Sequence, residues 1–305
     1  MTEVPIPKEP WKGGIGELTI GDRTIGGAKG MPMLPFEDGT VNRPMVAGEV
    51  LDRTDELHTL AREGFGDAVD DPVEWARAWV GAGAGAVCLR LISTDPEGDC
   101  APAEDAVRTV RAVADAIDVP LIVYGCGNPE RDAEVLKAVA ENVDRKLILG
   151  HAEEDSYKTL AAVATANGHV LIAFSNLDIN LAKQMNILLR DFGTDLGTVI
   201  MDPLMAALGM GLEYSYSVNE RIRLAALSGD RMLQVPMLCD AVPAWQVREA
   251  TDDDPSLGDP AERVAWWEAT TAISAIVSGA DVVIVRGARA AGIVNGAIDD
   301  LMGVV

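Results

Sequence analysis

Clustered metal-binding cysteine is missing from this sequence. Its four cysteines, Cys88, Cys100, Cys126 and Cys239, stand far apart, with no CxxC pair among them. An iron–sulfur cluster or a structural zinc held by this chain alone is therefore not expected. Four dispersed thiols suit a reducing cytoplasm. Long hydrophobic runs are also missing. No apolar stretch approaches the roughly 18 residues that span a bilayer, so no membrane partner is expected. The charged, proline-rich first ten residues contain no apolar h-region, so no secretory signal is expected. Positive charge is scarce, with 25 basic residues against 48 acidic and a net charge of −23. Such a surface repels phosphate backbones and argues against nucleic-acid binding. Only three histidines occur, His58, His151 and His169, and neither a GxSxG elbow nor an HExxH motif is found. No hydrolase triad can be built from them.

What is abundant is apolar sequence, 48% of 305 residues, arranged in a repeating pattern. Eight short apolar runs occupy 45–50, 86–92, 120–125, 146–150, 169–174, 198–201, 235–239 and 281–285. Both faces of each run are apolar, as in buried parallel strands. Between them lie amphipathic stretches with helix end signals. Asp71-Pro72 and Asn128-Pro129 pair a capping oxygen with a proline in the first turn. Glu153, Glu154 and Asp155 place negative charge where a helix would begin. Gly193 and Gly279 follow apolar faces as helix stops. Eight alternations predict an α/β fold, a (β/α)8 TIM barrel over 45–305, with residues 1–44 as an N-terminal extension or arm. An open doubly wound sheet is the other arrangement of such a pattern. The glycine-rich segment 81–85 follows a helix and precedes a strand, the reverse of a phosphate-cradling loop. It reads as a tight turn. Trp75, Trp79, Trp266 and Trp267 fall on helices and are expected to pack.

A barrel works at the loops after its strands. There the sequence places Asp52 and Arg53, the segment 125–128, His151 with Glu153 and Glu154, the segment 175–180, Asp202-Pro203, Asp240 and Arg286. Asn128, Asp178, Asn180 and Asp202 suit a ligand rich in amides or ring N–H groups, because each exchanges hydrogen bonds without a metal. Asn128, Asp178 and Asp202 are equally suited to capping helices. His151 with Cys126 and Cys239 is a conceivable zinc set, although no close spacing supports it. Arg286 with Arg289 is a conceivable phosphate grip, or else a surface ion pair.

Longer motifs then stand out: EEDSYK at 153–158, LDINLAKQMN at 177–186, MDP at 201–203, ALGMGLEYSYS at 207–217 and ERIRLAAL at 220–227. On these the chain resembles the small subunit of the corrinoid iron–sulfur protein, the delta subunit of the acetyl-CoA decarbonylase/synthase complex. The resemblance runs from about Pro32 onward, and the acidic composition and the arm before Pro32 depart from it. It implies a barrel akin to pterin-dependent methyltransferases. It also implies a large subunit of the corrinoid iron–sulfur protein that carries the iron–sulfur cluster and most contacts to a cobamide, with the barrel mouth facing the corrin. The further partners implied are CO dehydrogenase/acetyl-CoA synthase and a pterin methyltransferase. A methyl group would pass from methyl-tetrahydropterin through cobalt to acetyl-CoA synthase, as in the Wood–Ljungdahl pathway. The chain itself would shelter the cobamide rather than catalyse, with Asn128, Asp178, Asn180 and Asp202 as cofactor-binding candidates. The alternative is an enzyme on the same barrel, a methyltetrahydropterin:corrinoid methyltransferase; a barrel with a filled mouth and a purely structural role is a third. No DxHxxG motif surrounds any histidine: Glu56 precedes His58 and Ala61 follows it.

Overall fold

The computed structural model describes residues 9–34, 37, 42–55 and 57–303. Residues 1–8 and most of 35–41, which belong to the expected arm, lie outside the described residues.

All eight apolar runs are strands of one parallel sheet: β3 (Met45–Leu51), β4 (Ala86–Arg90), β5 (Leu121–Tyr124), β6 (Ile148–Ala152), β7 (Val170–Phe174), β8 (Val199–Asp202), β9 (Leu238–Asp240) and β10 (Val282–Val285). The strand order is β8-β7-β6-β5-β4-β3-β10-β9. A parallel bridge between Met201 and Met237 brings β8 to β9 and closes the barrel. The strands are rich in Val, Ile and Leu because both of their faces are covered. One face packs against the surrounding helices. The other fills the barrel with Met45, Ala47, Cys88, Ile122, Ile148, Ile172, Ile200, Leu238 and Ile284.

Residues ahead of the barrel seal the end opposite the loops that follow its strands. β1 (Glu17–Ile20) and β2 (Arg23–Gly26) form an antiparallel hairpin. Its alternating Leu18, Ile20 and Ile25 join the apolar cluster inside the barrel. The two-residue turn works because Gly21 adopts φ 62°, a conformation that costs glycine little.

The helices are α1 (Thr59–Phe65), α2 (Pro72–Gly81), α3 (Ala103–Ala116), α4 (Pro129–Asn142), α5 (Tyr157–Asn167), α6 (Ile179–Phe192), α7 (Leu212–Leu227), α8 (Arg248–Thr251), α9 (Pro260–Ser278) and α10 (Ala288–Met302). Asp71 caps α2 through Val73 and Glu74 N–H, Asn128 caps α4 through Arg131 N–H, and Asp178 caps α6 through Asn180 and Leu181 N–H. Gly193 ends α6 in the left-handed region, and Gly279 ends α9. The 81–85 segment is the predicted turn between α2 and β4.

Two expectations need correction. Glu153, Glu154 and Asp155 precede α5 rather than form its first turn; Ser156 and Tyr157 donate N–H back to Glu153 O, so these residues form the turn that leads into the helix. Trp75 and Trp79 are fully buried and Trp267 is anchored by its indole N–H on Leu208 O, but Trp266 is 53% exposed and packs into no core.

Candidate functional site at the barrel mouth

Side chains alternate along each strand. The interior face therefore runs through Met45 and Ala47 to Glu49, through Ala86 and Cys88 to Arg90, through Ile122 to Tyr124, and through Ile200 to Asp202. Leu238 leads in the same way to Asp240, and Val282 and Ile284 lead to Arg286. Each series begins apolar and ends polar. The last interior layer is thus a charged floor facing the loops that follow the strands.

Glu49 is the centre of that floor. Its carboxylate is wholly buried and accepts Arg90 Nε at 2.6 Å through one oxygen and Arg286 Nε at 2.5 Å through the other. Arg90 also donates to Asp240 Oδ2. Burial alone would raise the Glu49 pKa, but the Arg286 and Arg90 guanidiniums outweigh it and hold the carboxyl below its ordinary range. Asp240 has burial on one side and Arg90 on the other, and burial prevails, so its pKa is raised. Two carboxylates and two guanidiniums form a mutually neutral lattice. Buried charges persist only when paired in this way.

Beside the lattice lies an aromatic group. The Arg90 guanidinium sits 5.0 Å from the Tyr124 ring centroid. Tyr124 and His151 pack with ring centroids 4.2 Å apart, and His151 meets Phe174 at 5.1 Å. Pairing between β6 and β7 shifts register between Leu149 and Ala152, an irregularity of the kind that re-aims a side chain. His151 Nε2 is 3.1 Å from Asp202 Oδ2, while Asp202 Oδ1 accepts Leu204 N–H at 2.9 Å. Gly150 makes room for Tyr124, since a Cβ there would lie 2.7 Å from the ring.

Two cavities open over this floor. One, of about 350 Å³, is lined by Glu49, Arg90, Asp240, Arg286 and the 242–246 segment. The other, of about 220 Å³, is lined by Arg90, Tyr124, His151, Glu153 and the loop at 125–129. Arg90 and Ile92 form the wall between them. The loop is folded around Asp132, which accepts Cys126 N–H at 2.7 Å and Gly127 N–H at 2.9 Å, with the Cys126 thiol 3.2 Å away. Outside the barrel, the buried Glu268 of α9 accepts Arg286 N–H at 2.6 Å and Gly287 N–H at 3.0 Å. Burial still pushes its carboxyl up to about 8.

Of the four residues singled out from sequence, only Asp202 is part of the floor. Asn128 and Asp178 are exposed on the rim and spend their side-chain oxygens on helix caps. Asn180 is exposed at the second position of α6. His151, Cys126 and Cys239 are not brought together. Cys239 is buried in the cluster between strands and helices, 3.5 Å from Asn219 Nδ2. Among the described residues no group of three or more His, Cys, Asp or Glu is arranged to hold a metal ion. Of the two readings of Arg286 and Arg289, the ion-pair one is what the structure shows: Arg286 pairs with the buried Glu49, and Arg289 with Glu262 at the surface. Sequence reasoning passed over Glu49, Arg90, Tyr124, Asp132 and Glu268. The available signal was a charge at an interior-facing position of an apolar strand, as in MVAGEVL and AVCLR.

Fold and site together define a (β/α)8 barrel whose mouth is a self-paired polar floor beneath two cavities. The same architecture recurs in solved dihydropteroate synthases. One from Xanthomonas albilineans, with 4-aminobenzoic acid, shares 17% identity at a TM-score of 0.61 and covers 95% of this chain and 98% of that one. One from Yersinia pestis shares 16% identity at 0.58, covering 94% and 97%. At that identity the likeness extends to the fold alone. Sequence goes further: residues 15–295 match the family model described as CO dehydrogenase/acetyl-CoA synthase delta subunit, and the chain belongs to that family. The acetyl-CoA decarbonylase/synthase complex subunit delta of Methanopyrus kandleri is 36% identical over 89% of this chain and 71% of that protein. Its counterpart in Archaeoglobus fulgidus is 35% identical over 92% and 64%. The chain thus spans about two thirds of the length of these relatives. Among the described residues, no helix is long and apolar enough to cross a membrane.

Proposed function

We propose that this chain is the cobamide-sheltering subunit of a corrinoid iron–sulfur methyl carrier, its barrel mouth lying over a cofactor held mainly by a large partner subunit. One observation carries the reading. The mouth is floored by charges that satisfy one another, Glu49 with Arg90 and Arg286, and Arg90 with Asp240. Such a floor is rigid and close to neutral, and its strongest groups are already committed. It suits a surface that covers a large amide-rich cofactor better than one that grips a small charged substrate.

A bound cobamide would supply a cobalt centre that accepts and gives up a methyl group. The residues here fit it as a cover: amide and carboxylate groups stand on the rim at Asn128, Asp178 and Asn180, and no metal-holding set is needed. This chain's part is to keep water from the covered face, with Tyr124, Phe174 and His151 as the packed patch and Asp202 fixing His151. The iron–sulfur cluster belongs to the large subunit. CO dehydrogenase/acetyl-CoA synthase and a pterin methyltransferase are the exchange partners. Purification with the cognate large subunit tests this: corrin absorbance in the pair and none in the isolated chain is the expected result. A pair without corrin absorbance overturns it.

A methyltetrahydropterin:corrinoid methyltransferase is the second reading. It is favoured by His151, which lines the 220 Å³ cavity while hydrogen-bonded to a buried carboxylate, an arrangement able to hold a proton near a ligand. Saturable micromolar binding of methyl-tetrahydropterin to the isolated chain, with methyl transfer, would establish it in place of the first.

A further inference from the structure

At the opposite end of the barrel, the chain before β1 runs against the end of α7. Lys12 and Gly13 donate N–H to Leu227 O at 3.0 and 2.8 Å. Gly13 permits the approach, since a Cβ there would lie 2.2 Å from Ala226 O. A cavity of about 760 Å³ opens beside this contact, and among the described residues that line it, Lys12, Lys29 and Arg231 carry charge and none bears a carboxylate. That is unexpected in a chain with 48 acidic residues. Nearly every other described cation is engaged, as in Arg43 with Asp299, Arg62 with Asp70, Lys183 with Asp230, and Arg145 with backbone carbonyls. The side chains of Lys12, Lys29, Lys158, Arg221 and Arg231 alone make no ion pair or hydrogen bond among the described residues, and three of these five share this cavity.

We propose that the cavity binds a phosphorylated small molecule. The three cations would take the phosphate, and its organic body would lie against Trp11. Trp11 is fixed in the wall by its indole N–H on Glu37 Oε2 at 2.6 Å; that carboxylate keeps its charge, and the three cations lining the cavity outnumber it. The Ser228 hydroxyl lines the same cavity and makes no hydrogen bond among the described residues. The cations are not needed to cap α7. Leu227 O is taken by the Lys12 and Gly13 N–H groups, and Ala226 O by Gly229 N–H and Gln234 Nε2. The overall negative charge does not forbid an anion here. Exposed charges beyond about 8 Å are screened at physiological salt, so the adjacent cations dominate. A volume of this order matches small-molecule sites, which run to roughly 1,000 Å³. The site is at the other end from the mouth and stands independently of the cobamide reading.

Titration calorimetry of the full chain with inorganic phosphate, pyrophosphate and ADP, at low and high salt, tests the site. Saturable binding that weakens with salt is expected, with ADP tighter than phosphate. The Lys12→Gln/Arg231→Gln pair should lower affinity at least tenfold, whereas Arg221→Gln, an equally unpaired cation elsewhere, should leave it unchanged. Unaltered thermal unfolding of the double variant, or Lys29→Gln in its place, guards against a folding artefact. Absence of saturable binding at millimolar ligand, or wild-type binding by the double variant, overturns the proposal. ADP binding tighter than pyrophosphate supports the organic body against Trp11; equal affinity for the two overturns the proposal of a phosphorylated small molecule.

Discussion

Arg286 N–H donates to the Glu268 carboxylate at 2.6 Å, so a buried acid on α9 holds the end of β10 from outside the barrel. From inside, the Arg286 side chain reaches Glu49. The strand end carrying one of the floor's two guanidiniums is therefore fixed on both faces, and the protonation of Glu268 bears on the stability of the whole mouth.

A pH dependence follows from that burial. The Glu268 carboxyl is pushed from an ordinary 4.5 up to about 8 in the folded chain. Below about pH 4.5 it is protonated whether the chain is folded or not. Between 4.5 and 8 the unfolded chain releases the proton and the folded chain keeps it, so its contribution to stability falls as pH rises. Across that window the loss is about 3–5 kcal/mol. Denaturant unfolding of Glu268→Gln beside the wild type should show the variant gaining on the wild type by that order between pH 5 and 8.5. A pH-independent difference would contradict the buried acid.

Glu49 behaves differently, because its partners keep it ionised. Removing it leaves Arg90 and Arg286 buried together with only Asp240 to offset them. Breaking one partner of a buried pair typically costs about 3–5 kcal/mol, and Glu49→Ala should fall in that range. Glu49→Gln keeps the shape and should cost less. Urea midpoints at neutral pH rank the two, and an Ala variant as stable as wild type would show that the lattice contributes nothing net.

How much of this was legible beforehand depends on the residue. The eight strands were readable because barrel strands are apolar on both faces, and α2, α4 and α6 were readable from Asp71-Pro72, Asn128-Pro129 and Gly193. Of the floor, Asp202, Asp240 and Arg286 were readable as polar strand ends, but Glu49 and Arg90 and the pairing among them were not, because the members are one per strand and meet only when the barrel closes. Glu49 and Arg90 lie 41 residues apart, and Glu49 and Arg286 lie 237 apart. The polar residues that did attract attention, Asn128 and Asp178, serve local helix caps, which sequence spacing reveals far more readily than a contact across the barrel.

Gly48 is the tightest point of the strand-to-helix packing. A Cβ there would fall 2.0–2.4 Å from three ring atoms of Trp79, which is fully buried and donates its indole N–H to Glu49 O at 2.7 Å. The ring has nowhere to go without releasing that hydrogen bond. Gly48→Ala should therefore cost at least about 3 kcal/mol, the upper range for overpacking, or prevent folding. Expression yield and thermal unfolding measure it. Gly64→Ala, where a Cβ meets nothing within 4 Å, is the control and should be neutral or slightly stabilising.

Asn180 separates a cofactor contact from a structural one. It is exposed, and its backbone N–H rather than its side chain serves the Asp178 cap. Asn180→Ala should thus leave stability within about 0.5 kcal/mol, the usual range for surface changes. If the rim of α6 lies against the cobamide, corrin retention by the complex with the large subunit should drop in this variant. Asp178→Ala should lose about 1 kcal/mol of stability as well, through the lost cap. Unchanged retention in Asn180→Ala would remove it from the site while leaving the floor around Glu49 untouched as the candidate surface.

Asp202 joins the two kinds of role and gives the sharpest test of the mouth. One oxygen receives Leu204 N–H and the other meets His151, so Asp202→Ala would release both the loop after β8 and the imidazole. Leu204 sits at φ 70°, a conformation costly for a residue with a Cβ, and the carboxylate is what holds it there. Leaving the N–H unpartnered should cost about 1–3 kcal/mol. Asp202→Asn keeps an acceptor for Leu204 N–H and should restore most of that stability. If His151 covers the cofactor, Asn should not restore the retention of corrin or its protection from solvent, because its uncharged amide cannot hold the imidazole as the carboxylate does. Hydrogen exchange at Leu204 reads the loop, and corrin absorbance of the complex reads the cover. Recovery of both by Asn would assign Asp202 to loop structure alone.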